Sequence, residues 1–145
     1  MSEEQRLEAF RKFVQARPDD PFTRYALAMH LRSMGRLTEA VEAFTELTAR
    51  APDYIPTWLM LGQVLEGLGR GQDAALAYEE GIAHAAKARN DHARSELEQA
   101  LEAAGRDGEA ARAYQDGMAA ATRRQDLHAR GELEAALEAL RSRQP

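Results

Sequence analysis

The chain has 145 residues, which is enough for one ordinary domain with a hydrophobic core. Charged residues make up 30% and hydrophobic residues 44%, a globular and not a disordered composition, and the absence of cysteine excludes disulfides and thiolate metal sites. The formal net charge of -5 argues against nucleic acid or an anionic membrane as the main partner. The charged N-terminus and the short apolar runs predict no signal peptide and no membrane span, so we expect a cytoplasmic location.

The first predicted element is a helix over residues 3–17, just before the helix-breaking Pro18 and Pro21. Its apolar residues recur at the spacings of three and four that define one face of an amphipathic helix: Leu7, Phe10, Phe13 and Val14. Phe10 and Pro18 each lie 34 residues before a matching Phe44 and Pro52. This helix therefore corresponds to the second half of a repeat.

Three copies of a two-helix repeat are predicted next, over residues 21–54, 55–90 and 91–126. Each copy contains the pattern Ala-x-x-Ala-aromatic, five residues after a glycine that an arginine follows. Glycine accepts the left-handed conformation that ends many helices. Three glycines are therefore predicted to end the first helix of their repeats: Gly35, Gly69 and Gly105.

The last predicted element is a C-terminal capping helix over residues 127–142. Its sequence HARGELEAALEA, from His128, nearly repeats HARSELEQALEA, which begins 36 residues earlier at His92. A lone helical hairpin cannot bury its apolar face, so neighbouring hairpins are expected to stack and the two end helices to cap the stack. The sequence thus predicts one all-α domain over residues 1–145, with eight helices.

Repeats one and two resemble the tetratricopeptide repeat (TPR) family. The fullest match is in repeat two, at Trp58, Leu61, Gly62, Leu65, Ala74 and Tyr78, and repeat one matches at Leu27, Ala28, Leu31, Gly35, Ala40, Phe44 and Pro52. The resemblance implies an α-α superhelix, a solenoid of about three TPR-like hairpins between capping helices. Small residues at the Ala28 and Gly62 positions let the two helices of a hairpin approach closely.

Repeat three departs from this pattern. Glu98 occupies the slot of Ala28 and Gly62, and Arg94 stands where Trp58 stands. A charged residue at a tight helix crossing must reach solvent. We therefore expect the last hairpins to splay or rotate.

No residue pattern indicates catalysis, a metal or a cofactor. The four histidines, which are His30, His84, His92 and His128, include no pair at the spacing of helical metal ligands. The serines lack a nucleophile-elbow context, and the carboxylate runs are interpreted as solvated helix faces. We expect no enzyme activity, no catalytic or metal-binding residue and no cofactor.

The resemblance implies a protein–protein interaction module whose concave groove, lined by the first helix of each repeat, holds a peptide or helix. The predicted lining residues lie between the core stripes: Tyr25, Met29 and Arg32 in repeat one, Leu59, Met60, Gln63 and Glu66 in repeat two, and Ser95, Glu96, Gln99 and Glu102 in repeat three. In the alternative interpretation, the apolar members of this set pack against neighbouring helices and contact no ligand.

The predicted groove changes from apolar in repeat one to acidic in repeat three. This gradient favours a basic amphipathic segment with an apolar anchor and Lys or Arg toward one end. The sparse Lys12, Lys87 and Asn90 lie outside these slots, which argues against capture of a partner's C-terminal carboxylate. We expect an adaptor or assembly factor. The source is expected to be a bacterium with a GC-rich genome. The alternative function is a self-associating scaffold, a homo-oligomer that uses apolar surface of the groove or end helices.

Overall fold

A computed structural model describes residues 1–143, which form seven α-helices without any strand. The helices in chain order are α1 (Glu3–Ala16), α2 (Pro21–Ser33), α3 (Leu37–Arg50), α4 (Pro56–Gly67), α5 (Gly71–Lys87), α6 (Asp91–Arg123) and α7 (Leu127–Ser142). Each helix packs against the next along the chain, which confirms the predicted solenoid of helical hairpins. None of these seven helices has both the length and the apolar character needed to cross a membrane.

Polar side chains at the helix starts explain why several helices begin where they do. Ser2 and Gln5 form a capping box on α1, in which each side chain accepts a hydrogen bond from the backbone of the other. Asp20 accepts from the backbone at the start of α2, while Asn90 and Asp126 do the same at the starts of α6 and α7. These caps supply partners for backbone N–H groups that have none within the helix.

The turns of the first two hairpins occur at two of the predicted glycines. Gly35, between α2 and α3, has φ +72°, and Gly69, between α4 and α5, has φ +75°. A residue with a side chain is strained in this left-handed conformation. The prediction that these two glycines end helices is therefore confirmed.

The prediction that Gly105 ends a helix is wrong, because α6 runs unbroken from Asp91 to Arg123. Residues 1–143 consequently form seven helices in place of the predicted eight. The two predicted helices of repeat three form the two halves of α6. The predicted repeat boundaries themselves stay a prediction.

The physical reason lies at Glu98. In the second hairpin, a Cβ atom on Gly62 would lie only 2.1 Å from Cε1 of Tyr78, so this close crossing requires a glycine. Glu98 and Tyr114 occupy the corresponding positions of repeat three, 36 residues later, and the same crossing would therefore clash. In the observed unbroken helix, Glu98 is exposed.

The two halves of α6 belong to two matching hairpins. The turn before α6 has Arg89 at φ 58°, and the turn after it has Gln125, 36 residues later, at φ 61°. A Cβ on Gly81 of α5 would meet Leu97 at 3.0 Å, and one on Gly117 would meet Leu133 of α7 at 2.9 Å. Thus α5 packs on the first half of α6 in the same way as the second half of α6 packs on α7.

The main hydrophobic core extends from α1 to the first half of α6. Its largest fully buried side chains include Phe44 and Tyr78, and it runs from Leu7 to Leu97. The second half of α6 and α7 bury a smaller set outside this core, which comprises Ala121, Leu137 and Leu140. The C-terminal hairpin is therefore the less deeply packed part of the structure.

Candidate functional site

An apolar pocket lies between α4 and the first half of α6. Its volume is about 320 Å³, and its lining consists of Ile55, Pro56, Leu59, Met60, Asn90, His92, Ala93, Glu96 and Leu97. Three of the predicted lining residues, Leu59, Met60 and Glu96, therefore come together at one place. We call this cavity the α4–α6 pocket.

A histidine–glutamate pair marks the polar rim of the α4–α6 pocket. Nε2 of His92 lies 2.7 Å from Oε1 of Glu96, and His92 is almost fully exposed. Sequence reasoning missed His92 as a pocket residue because it treated this histidine only as one member of a repeated pair. The four-residue spacing from His92 to Glu96 could have found it, since side chains four apart meet on a helix surface.

Arg32 connects the pocket to the first hairpin. Its guanidinium donates a hydrogen bond to Oε1 of Gln63 at 3.0 Å and lies 2.9 Å from Sδ of Met60. These three predicted lining residues therefore contact one another across α2 and α4. Because Met60 also lines the pocket, the contacts with Arg32 hold one wall of the pocket in place.

Tyr25 and Met29, the remaining predicted residues of α2, are each half-buried against the core. The Tyr25 ring makes edge-to-face contacts with Phe44 and Tyr54, at centroid distances of 6.1 and 5.5 Å. Burial of the hydroxyl raises the pKa of Tyr25, and the neighbouring Tyr54 adds to this effect. Both side chains thus combine core contacts with a partly open surface.

Glu66 lies apart from the α4–α6 pocket. It is only 9% exposed and accepts a hydrogen bond from Oη of Tyr78 on α5, at 2.6 Å. Burial raises the pKa of Glu66, the Tyr78 hydrogen bond opposes this, and the Asp107 carboxylate raises the pKa further. Glu66 therefore faces the inside of the second hairpin, at a cleft of about 300 Å³ that Leu101 and Asp107 also line.

The other predicted residues of α6 lie exposed along the helix, beyond the pocket lining. The Gln99 side chain donates to Oγ of Ser95 at 3.3 Å, and Glu102 accepts from Arg106 at 2.6 Å. The structure therefore places Ser95, Gln99 and Glu102 near solvent without gathering them into one cavity.

Within residues 1–143, no three His, Asp or Glu side chains lie close enough together to hold a metal ion. The pocket lining offers one carboxylate, one imidazole and the amide of Asn90, with an otherwise apolar wall. Its chemistry is that of contact with an apolar group that carries a polar or charged neighbour.

Comparisons with known proteins agree on one family. The family description "Tetratricopeptide repeat" matches residues 21–64. The crystal structure of a tetratricopeptide repeat domain protein from Salinibacter ruber is 38% identical, covers 59% of this chain and 97% of its own, and gives a TM-score of 0.57. A solution NMR structure of a tetratricopeptide repeat domain protein from Salinibacter ruber is 39% identical, with coverages of 60% and 88% and a TM-score of 0.58. No curated protein matches the chain.

Proposed function

Because the chain belongs to the tetratricopeptide repeat family, whose members are generally protein–protein interaction modules, we propose that it binds a peptide or helical segment of another protein in a concave groove. In this proposal the module is non-catalytic and acts as an adaptor or assembly factor in the cytoplasm. The groove is centred on the α4–α6 pocket.

The observation that carries the proposal is the α4–α6 pocket itself. Leu59, Met60 and Leu97 offer it an apolar lining of a size that accommodates one large side chain. Burying a leucine or phenylalanine side chain in such a place contributes about 1.5–3 kcal/mol. The pocket therefore suits the apolar anchor of a bound segment.

The charge at the rim supports a partner with a basic residue next to its anchor. Glu96 lies at the pocket rim, and Glu102 lies exposed further along α6. A Lys or Arg next to the anchor would approach the Glu96 carboxylate. Rim charges of this kind act on the association rate and respond to salt.

The contacts of Arg32 with Met60 and Gln63 favour binding of the segment. These contacts restrict the Met60 side chain before any partner arrives. Binding then requires less ordering of the pocket wall, and ordering a flexible side chain costs about 0.5–1.5 kcal/mol.

The anchor contact is tested with Leu59→Glu. A fluorescently labelled basic amphipathic peptide is titrated with each protein, and anisotropy gives its Kd. Leu59→Glu places a charge in the apolar wall and is expected to weaken binding at least tenfold. Leu76→Glu is the matched control, since Leu76 is an exposed leucine on α5 outside the pocket. Equal affinities of both variants and the unsubstituted protein would contradict the proposed pocket.

The charge contribution is tested with Glu96→Lys. This variant is expected to weaken binding at low salt and to flatten the dependence of Kd on salt concentration. Glu132→Lys is the matched control, because Glu132 makes the equivalent contact with His128 on α7, at 3.2 Å, away from the pocket. A salt-independent Kd for the unsubstituted protein would remove the acidic rim from the proposal.

The alternative function is a self-associating scaffold that uses apolar surface of the groove or the end helices. Light scattering at several concentrations separates the two functions. If the protein is an adaptor that does not self-associate through the groove, the Leu59→Glu variant and the unsubstituted protein have the same mass. A scaffold built through the groove loses mass in the variant.

A further inference from the structure

A second cavity lies between α4 and α6, where α5 begins and α7 ends. It has a volume of about 300 Å³, and two carboxylates line it, those of Glu66 on α4 and Asp107 on α6. We call this cavity the Glu66 cleft. Its walls consist largely of small residues, among them Gly69, Gly71, Ala75, Ala104, Gly108 and Ala111.

The Glu66 cleft exists because α6 is unbroken. Leu97, Ala104 and Ala111 recur every seven residues, which is nearly two helical turns, and so lie on one stripe of α6. Leu97 belongs to the main core, Ala104 packs against the edge of that core, and both Ala104 and Ala111 line the cleft. A turn at Gly105 would have carried Ala111 away from this stripe. The cleft is therefore a consequence of the continuous helix.

The Glu66 carboxylate meets the cleft without a cationic partner. Its Oε2 accepts the hydrogen bond from Tyr78, whereas Oε1 has no hydrogen-bond partner among residues 1–143 and is accessible to solvent. The Asp107 carboxylate raises the pKa of Glu66, and no Lys or Arg in this part of the chain lowers it. Buried carboxylates are ordinarily paired with a cation or saturated with hydrogen bonds. Glu66 is neither.

We propose that the Glu66 cleft binds a Lys or Arg side chain of the same segment whose apolar anchor occupies the α4–α6 pocket, an inference that rests on the proposed function. The charged end of the side chain contacts Glu66 and Asp107, and its alkyl stem packs against the small residues of the walls. Lys and Arg combine such a stem with a charged tip, and this combination matches apolar walls around a carboxylate.

The positions of the two cavities fix the spacing that the segment needs. Leu59 lines the α4–α6 pocket, and Glu66 lies about 10 Å further along α4, at about 1.5 Å per residue. On α6 the order is the same, since Leu97 lines the pocket and Ala104 lines the cleft. Both cavities therefore lie in line between α4 and α6. A helical segment reaches both when its anchor and its basic residue are about two turns apart.

Two arginines at the Glu66 cleft bear on the sign of the ligand's charge. Arg112 and Arg141 line the cleft and are exposed, and neither forms an ion pair with Glu66 or Asp107 within residues 1–143. An anion held by these guanidinium groups would stand beside the buried Glu66 carboxylate. The buried charge of the cleft thus favours a cation.

The first test varies the distance between anchor and charge. Helical peptides carry one leucine anchor and one arginine, placed about one, two or three helical turns from the anchor. Fluorescence anisotropy gives the Kd of each peptide. The two-turn peptide is expected to bind at least about fivefold more tightly than the other two, because only its arginine reaches Glu66. Equal Kd values for the three spacings would contradict the proposal.

The second test removes the charge of Glu66. Glu66→Gln is expected to weaken binding of the two-turn peptide about tenfold, since the amide can still accept from Tyr78 but no longer attracts a cation. It should not change the Kd of the same peptide with glutamine in place of arginine. Glu79→Gln is the matched control, because Glu79 is exposed on α5 and lies outside the cleft. Equal effects of the two variants would overturn the proposal.

The sign of the ligand's charge is tested with Arg112→Gln. This variant removes a like charge from the cleft and is expected to tighten binding of the two-turn peptide about two- to threefold, as removal of a screened exposed charge does. Weaker binding would show that the cleft holds an anionic group of the peptide instead, and would overturn the proposal.

The last test probes the cleft without the anchor, so that it does not depend on the groove. N-acetyl-arginine amide is titrated into the protein, and the backbone amide signals of Gly69 and Gly108 are expected to shift in NMR spectra. Leu59→Glu should keep these shifts and Glu66→Gln should lose them, while the neutral citrulline analogue produces none. Absence of shifts in the unsubstituted protein would overturn the cleft proposal. Shifts at the cleft without binding of any peptide would overturn the proposed groove function alone.

Discussion

Thr57 buries a hydroxyl group that has no hydrogen-bond partner among residues 1–143. A buried polar group without a partner loses the hydrogen bonds that water provides in the unfolded chain. Thr23, also buried, differs because its hydroxyl donates to the backbone oxygen of Asp20 at 3.0 Å. The two threonines therefore make opposite contributions to stability.

We predict that Thr57→Val raises the free energy of unfolding by about 1 kcal/mol, because valine fills nearly the same space without a hydroxyl. Thr23→Val is the matched control and is expected to lower it by about 1 kcal/mol through the lost hydrogen bond. Urea denaturation followed by circular dichroism measures both. A destabilised Thr57→Val would mean that the Thr57 hydroxyl is satisfied in solution.

Glu66 makes stability depend on pH. Burial raises its pKa in the folded protein above its value in the unfolded chain, so the folded state holds the proton more tightly. The stability that this protonation contributes is present below the unfolded pKa, about 4.3, and is lost as pH rises through the folded pKa.

We predict that Glu66→Gln abolishes this loss, because the amide oxygen can still accept from Tyr78 and carries no charge to bury. The variant should gain stability relative to the unsubstituted protein as pH rises from about 4 to 7. Tyr78→Phe should steepen the loss, since its hydrogen bond lowers the pKa of Glu66. Unfolding free energies at several pH values measure these effects, and a pH-independent difference for Glu66→Gln would contradict the raised pKa.

At the scale of elements, the unbroken α6 distinguishes Gly105 from Gly69. Gly105 lies inside a helix with open space where a side chain would stand, whereas Gly69 has φ +75° in a turn. We predict that Gly105→Ala raises the free energy of unfolding by about 1 kcal/mol, because alanine is the better helix former. Gly69→Ala should lower it by about 1–2 kcal/mol through left-handed strain. Thermal and urea unfolding test the pair, and destabilisation by Gly105→Ala would indicate a turn in place of the continuous helix.

The contrast between these two glycines shows where sequence reasoning succeeds and where it fails. The glycine before an arginine predicted the turns at Gly35 and Gly69, because the local conformation there needs a left-handed residue. At Gly105 the same signal failed, since glycine permits a left-handed turn without imposing one. Whether the chain turns at Gly105 depends on Glu98 and Tyr114, which lie several residues away from it in sequence. The sequence shows that Glu98 stands where repeats one and two have a small residue. Its clash with Tyr114, however, can be recognised only from the geometry of the Gly62–Tyr78 crossing.

The candidate site was predictable to a similar degree. Helical phase places Leu59 and Met60 between the core stripes, because phase depends only on position within one helix, and in the structure both are half-buried against the core. It could not show that Glu66, on the same helix, is buried against Tyr78, because that contact depends on how α5 crosses α4. His92 was missed for the related reason that the pocket exists only once α4 and α6 are packed together.

At the scale of the whole molecule, stability is unevenly distributed. The main core ends in the first half of α6, and among residues 106–143 the buried side chains are those of Ala121, Leu137 and Leu140. We predict that amide hydrogens in residues 106–142 exchange at least about tenfold faster than those in α3 to α5, because the C-terminal hairpin opens before the rest. Native-state hydrogen exchange by mass spectrometry measures this. Equal protection in both regions would show that the molecule opens as one cooperative unit.

Because α6 belongs to two hairpins, a small tilt within this helix produces a large displacement of its far end. From Gly105 to its last residue, α6 extends about 27 Å, at about 1.5 Å per residue. A tilt of only about 10° at Gly105 would therefore displace the α6–α7 turn by roughly 5 Å, by the same rise per residue. The part of α6 before Gly105 lies beside the α4–α6 pocket, and the part after Gly105 leads to α7. A small tilt between the two parts therefore moves α7 relative to the pocket.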